Sequence, residues 1–198
     1  MSDHKGISEV IFEKMQVNNL KISQERSKHF YTKNIVSVFG DIVVCNADES
    51  HIREVAELWA NLASIQQISA PAKYNFSLEV KNWQKFVKDK ISKKDNLLLV
   101  AHREGDPEIR GFLYLQTIKA PPLEIILKTA IEDLYIKPQY RRQEIATKLL
   151  NVAITCLEKN SILQLDLISV TGANDLLAFY KKYLGSINTS VAIDIITI

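Results

Sequence analysis

Glycine is scarce where a nucleotide-binding chain would need it. The sequence has six glycines, and none falls between Gly111 and Gly172. Neither a G-x-x-x-x-G-K-[ST] loop nor a G-x-G-x-x-G fingerprint occurs, which argues against P-loop kinase and Rossmann dehydrogenase readings. Cysteine is just as sparse. Cys45 sits in a β-rich run and Cys156 in a helical pattern, with no CxxC or Cys/His spacing. Two buried free thiols fit that placement better than a disulfide or a metal site. The histidines His4, His29, His51 and His102 show no spacing with Ser, Asp or Cys that would build a triad or a metal cluster, so no metal is expected. No apolar run approaches a membrane span and the N-terminus lacks a signal-peptide core, so a cytoplasmic protein with no membrane partner is expected. Charge of one sign is also missing. The formal net charge is +2, and residues 1–40 carry that excess with six Lys/Arg against four Asp/Glu. Without a basic stripe on the domain itself, nucleic acid is not an expected partner.

What is present suffices for a sizeable core: 46% of the 198 residues are hydrophobic, an ordinary globular fraction. The length suits one domain plus an extension, drawn as residues 1–40 and 41–198. In the extension Ile7, Val10, Ile11 and Met15 have helical spacing, so a short helix or a partly disordered tail is expected. Ile35–Phe39 and Ile42–Cys45 flank Gly40-Asp41 as a hairpin would. A helix over Glu49–Ile65 follows, with Asp48 or Ser50 as its cap and Ile52, Val55, Ala56, Trp59 and Leu62 as its apolar stripe. Residues 66–76 break the periodicity and contain Pro71, which reads as a loop. A second helix around Leu78–Ile91 carries Trp83, Phe86 and Val87. Strands are expected at Leu97–Ala101 and Arg110–Ile118, around the turn Glu104–Pro107. Pro121-Pro122 opens an irregular stretch. Leu163–Val170, a helix over Asp175–Leu184 and a strand over Ser190–Ile198 complete the order.

The most informative stretch is Ala130–Leu150, AIEDLYIKPQYRRQEIATKLL. Ile131, Leu134, Tyr135 and Ile136 suit a buried strand, and Pro138 ends it. From Arg142 onward Ile145, Ala146, Leu149, Leu150, Ala153 and Leu157 recur at steps of three and four, one face of a helix. The first turn of such a helix offers free N–H groups and the positive end of the dipole, and Arg141 and Arg142 add charge there.

This strand–turn–helix resembles motif A of the GNAT superfamily of N-acetyltransferases, written roughly V-x-P-x-Y-R-G-x-G-I-G-x-x-L-L. The matching row is Ile136, Pro138, Tyr140, Arg141, Arg142, Glu144, Ile145, Ala146, Leu149 and Leu150. The resemblance covers about residues 41–198. It implies an α/β fold with a mixed, mostly antiparallel twisted sheet flanked by helices, acetyl-CoA as co-substrate, and transfer of its acetyl group to a primary amine in a ternary complex. The acceptor would be a small molecule or a protein amine, and a homodimer is compatible with the family. One departure stands out: the first glycine of the family's Arg/Gln-x-x-Gly-x-Gly/Ala core is Glu144 here. A carboxylate beside the pyrophosphate site would repel it, and a glycine at this helix start would cost up to ~1 kcal/mol of stability. That departure carries the alternative, a non-catalytic GNAT-fold protein acting as a CoA-binding or protein-interaction module.

The family's roles map onto this chain as follows. Main-chain groups of Leu134, Tyr135 and Ile136 would pair with the pantetheine arm, with the Leu134 N–H on the thioester oxygen. The turn Arg141, Arg142, Gln143, Glu144, Ile145, Ala146 and Thr147 would hold the pyrophosphate. The family's N-x-x-A-x-x-x-Y pattern assigns Tyr180 to protonate the departing thiolate, with Tyr183 the second choice and Asn174 beside the family's asparagine. Glu132 and Asp133 are the candidates for taking the amine's proton; adjacent strand residues point to opposite faces, so at most one faces the cleft. Tyr74, Phe76 and Trp83 either line the acceptor pocket or belong to the core.

Overall fold

The computed structural model describes residues 35–69, 80–93, 95–118, 128–162, 164–169, 174–187 and 189–197. The expected helix at the N-terminus, the candidates Tyr74 and Phe76, and the Pro121-Pro122 stretch lie outside these residues. Seven strands form one sheet in sequence order: β1 (Val36–Phe39), β2 (Ile42–Asn46), β3 (Asn96–Arg103), β4 (Asp106–Ile118), β5 (Lys128–Ile136), β6 (Gln164–Ser169) and β7 (Ala192–Thr197). The first five pair antiparallel in succession, while β5 with β6 and β6 with β7 are parallel. Parallel neighbours need a crossover, supplied by helices α3 (Ile145–Lys159) and α4 (Asn174–Leu184). Helices α1 (Ile52–Ser69) and α2 (Val80–Ser92) complete the set. The mixed, mostly antiparallel sheet between helices is the architecture the sequence implies.

Alternation along the central strands builds two cores. Leu97, Leu99, Leu113, Leu115 and Ile131 pack with Leu149, Ala153 and Leu157 of α3. Leu98, Val100, Phe112, Tyr114 and Tyr135 face Val55 and Trp59 of α1 and Trp83 and Val87 of α2. A strand buried on both faces reads as a near-continuous apolar run, as Asn96-Leu-Leu-Leu-Val-Ala does. Trp83 is therefore core, set edge-on to Phe86 at 5.5 Å between ring centroids.

Several boundaries move. The Gly40-Asp41 hairpin forms, with Gly40 at φ +63°, and its first strand uses residues 36–39 of the segment drawn as an extension. Asp48 caps the short 3₁₀ turn Glu49–His51 that leads into α1, accepting the Ser50 N–H at 2.9 Å. Helix α1 runs to Ser69, past the expected loop start at residue 66, because nothing before Pro71 removes a helical donor. No described helix is long and apolar enough to cross a membrane.

Gly111 is the one glycine of the sheet that packing demands. It lies opposite Ile136, and an added Cβ would stand 2.7 Å from the Tyr135 carbonyl oxygen and in collision with Ile136 Cδ1. The side chain can turn away, but the backbone oxygen can move only with β5. Gly111→Ala is expected to lower stability by roughly 1–3 kcal/mol, as overpacking does. Urea denaturation measures this; an unchanged midpoint would show that β5 yields freely.

Candidate active site

A single extra residue shapes the middle of β5. Asp133 stands opposite Tyr114 and Ile131 opposite Leu115, so Glu132 is left over as a bulge. The bulge inverts the facing of the residues after it. Ile131 points to α3, whereas Asp133 and Tyr135 point to α1 and α2. Pairing between β5 and β6 ends at the same place. Its last partners are Ile131 and Leu167, yet β5 runs on to Ile136 against β4, and β6 runs on to Ser169 against β7. The two strands part there and leave a gap.

Backbone direction in the gap follows from one hydrogen bond. The Lys137 N–H donates to the Arg110 carbonyl of β4 at 2.9 Å. Alternation then turns the Tyr135 groups toward β4 and those of Leu134 and Ile136 into the gap. In agreement, the Ile136 carbonyl accepts from Arg141 Nε at 3.1 Å.

Two ionisable side chains flank this strand. Trp59 Nε1 donates to Asp133 Oδ2 at 2.9 Å. Protein atoms crowd the carboxyl although part of the residue remains accessible. Burial first, then the charge of Glu132, pushes the Asp133 pKa up to about 6, against hydrogen bonds from Trp59 and Gln66 and the charge of Lys90. Glu132 is exposed. On the other side Tyr180 of α4 is fully buried, and its hydroxyl has no hydrogen-bond partner among the described residues. Burial, then the Asp133 charge, raises its pKa. Tyr183 differs: its hydroxyl donates to Asn151 Oδ1 of α3 at 2.7 Å and is committed to packing. Asn174 is exposed at the start of α4.

The turn between β5 and α3 is strained and braced. Arg142 and Glu144 have φ of 61° and 59°, the left-handed region where side chains are disfavoured. These are two of the positions at which motif A has glycine. The Glu144 side chain does not cap α3; it is 82% exposed and reaches Lys148 Nζ at 3.7 Å. The first N–H groups of the helix thus have no side-chain cap. Arg142 and Gln143 are exposed, and Ala146 and Thr147 are partly covered. Below the turn, Lys137 Nζ lies 2.9 Å from Glu54 Oε1 and 2.8 Å from Glu108 Oε1. The Tyr140 hydroxyl donates to Glu108 Oε2 at 2.6 Å, and the Arg110 guanidinium covers the Tyr140 ring at 4.6 Å. Burial opposes the charge on Lys137, but the two carboxylates outweigh it and raise its pKa.

The structure therefore brings Asp133, Leu134, Ile136, Tyr180 and the Arg141–Thr147 turn around one gap and leaves Glu132 in solvent. Sequence reasoning missed Trp59 as the partner of Asp133, because its place in the apolar stripe of α1 accounts for it fully. It also missed the Lys137–Glu54–Glu108–Tyr140 network, whose members have no common spacing. A separate groove of about 370 Å³ lies between β1 and α3, lined by Ile35, Phe39, Asn151, Val152, Thr155 and Cys156 among others. None of the gap residues borders it.

Residues 94–183 match the family model of the acetyltransferase (GNAT) domain. No curated protein matches the chain. Solved structures share its fold at low identity. A transcriptional regulator from Bacillus halodurans C-125 superposes with a TM-score of 0.59 and 19% identity, covering 76% of this chain and 95% of its own. An aminoglycoside acetyltransferase from an uncultured soil metagenomic sample, in complex with sisomicin, gives 0.57 and 16%, covering 77% and 93%. A predicted acetyltransferase with acetyl-CoA from Clostridium acetobutylicum gives 0.54 and 20%, covering 75% and 91%.

Two stability predictions follow from the geometry. The left-handed φ at Glu144 reverses the sign expected for glycine there: Glu144→Gly relieves strain and should stabilise by about 1 kcal/mol. A loss of stability in urea denaturation would mean that the Lys148 pair outweighs the strain. Asp133 acts through pH. Its folded pKa, about 6, lies above the ordinary 3.8, so the folded state holds a proton more tightly than the unfolded one. Its contribution is therefore most favourable below about pH 4 and is lost as pH rises through 4–6, leaving a cost of up to ~3 kcal/mol at neutrality. Asp133→Asn should raise stability at pH 7 and flatten the pH 4–6 slope; denaturation at both ends of that window reads it.

Proposed function

We propose, from the match of residues 94–183 to the acetyltransferase (GNAT) domain model, that the protein belongs to that family and transfers the acetyl group of acetyl-CoA to a primary amine by direct attack in a ternary complex. The observation that carries this reading is the gap between β5 and β6, flanked by Asp133 and by the Tyr180 hydroxyl, which has no partner among the described residues. The inward backbone of Leu134 and Ile136 pairs with the pantetheine arm, and the Leu134 N–H donates to the thioester oxygen as charge builds on it. The uncapped first turn of α3 and its arginines bind the pyrophosphate. Arg142 supplies the free guanidinium, since Arg141 also ties the turn to Ile136.

Asp133 takes the proton of the amine, directly or through water. A base with a pKa near 6 is charged at neutral pH and still basic enough to accept a proton. Glu132, exposed on the bulge, serves instead as a local negative charge for a cationic acceptor. The amine nitrogen then bonds to the acetyl carbon, the carbon–sulfur bond breaks, and Tyr180 gives its proton to the departing thiolate. Because burial holds the phenol protonated, it is poised as a donor to that sulfur. The acceptor is a primary amine of small-molecule or protein type; one similar fold binds an aminoglycoside.

A second reading, a CoA-binding or protein-interaction module without turnover, draws on two left-handed, non-glycine residues in the phosphate turn and on a similar fold described as a transcriptional regulator. One set of experiments separates them. Acetyl-CoA should raise the melting temperature by mass action. A panel of sisomicin, a polyamine and a lysine peptide should reveal turnover. Tyr180→Phe should keep the acetyl-CoA shift, keep or gain stability because a buried unpaired hydroxyl is removed, and lose turnover by roughly 10²–10⁴-fold. Binding without turnover of any amine would favour the module; unchanged turnover in Tyr180→Phe would remove Tyr180 from the chemistry.

A further inference from the structure

Trp59 does more than fill the core between α1 and the sheet. Phenylalanine would pack there as well, but only an indole brings a donor, and that donor meets a carboxylate 74 residues away in the chain. The ring is wedged by Phe112 at 4.8 Å, Phe86 at 4.9 Å and Tyr114 at 5.3 Å between centroids. So confined, it cannot swing, and its N–H has a fixed direction. Tyr114, one of the wedging rings, lies directly opposite Asp133 in the β4–β5 register. We propose that Trp59 is the positioning residue of the acceptor-side carboxylate, holding Asp133 in one orientation and in its charged form beside the gap. This rests on the reading of Asp133 as the base.

An indole N–H can only donate, so it favours a carboxylate over a carboxylic acid. The other groups around Asp133 divide in sign. Glu132 on its own strand opposes its charge, and burial does so more strongly. Gln66 of α1 and Lys90 of α2 favour it. Lys90 is itself steadied, with Nζ 4.8 Å from the Phe86 centroid and 5.2 Å from that of Tyr114. Tyr180 approaches from α4 as a neutral phenol, and the Tyr114 hydroxyl is turned to Gln116. Trp59 makes a direct hydrogen bond at 2.9 Å, so its loss leaves burial and Glu132 opposed, among the described residues, by Gln66 and Lys90.

The test uses the full chain and two readouts. The protein has two tryptophans, Trp59 and Trp83. The emission of the native protein, less that of Trp59→Phe, should titrate with a midpoint near pH 6, and Asp133→Asn should abolish the transition. Emission flat across that range would overturn the proposal without any variant needing to be active. With acetyl-CoA and the panel amine turned over fastest, Trp59→Phe should move the acid limb of the kcat/KM profile up by roughly one to two pH units. KM for acetyl-CoA should stay unchanged. A uniform loss of rate with an unmoved limb would reduce Trp59 to packing and sink the proposal alone. Full activity in Asp133→Asn would instead remove the base reading, and the proposal with it.

Discussion

The bulge at Glu132 is the constraint on which the rest of the site depends. It adds one residue to β5 against β4 and so inverts the facing of every residue after it. Asp133 is thereby delivered to Trp59, and Ile136 to the α3 core. The same position ends the pairing of β5 with β6. Backbone groups left without a strand partner must be satisfied by something else. In the proposed reading the parted strands offer that edge to an extended ligand.

Around the gap the protein keeps several features that cost stability: two side-chain-bearing residues in the left-handed region, a buried hydroxyl without a partner among the described residues, and a crowded carboxylate. Each is of order 1–3 kcal/mol. Concentrated strain of this kind persists only where its surroundings leave no alternative. Here the surroundings are two apolar cores on opposite faces of one sheet and the Lys137 network under the turn. The network ties Lys137 and Tyr140 to Glu54 and Glu108, just before the two left-handed residues in the chain.

Tyr180 and Tyr183 illustrate how two residues of one type separate in role. Both lie on the buried side of α4. Tyr183 donates to Asn151 and joins α4 to α3, whereas Tyr180 meets no acceptor among the described residues. Asp133 and Glu132 separate in the same way, one crowded and hydrogen-bonded, the other in solvent. In both pairs tertiary surroundings, not residue type, distinguish the members.

Much of the fold was legible because its signals are local. Alternation marks the strands, steps of three and four mark α1 and α3, Gly40-Asp41 marks a hairpin and Asp48 a cap, each within a few residues of chain. The strand–turn–helix over residues 130–150 and the helix carrying Tyr180 were readable for the same reason. What the tertiary structure alone decided are relations between distant segments. A one-residue bulge has no composition of its own, so the facing of Asp133 could not be read from a period of two. The Trp59–Asp133 bond spans 74 residues, and Lys137 meets Glu54 across 83 and Glu108 across 29. The sign of a glycine at position 144 depends on a backbone angle that sequence does not display. Local chemistry determines which element a segment forms; only packing determines which way its side chains face and what they meet.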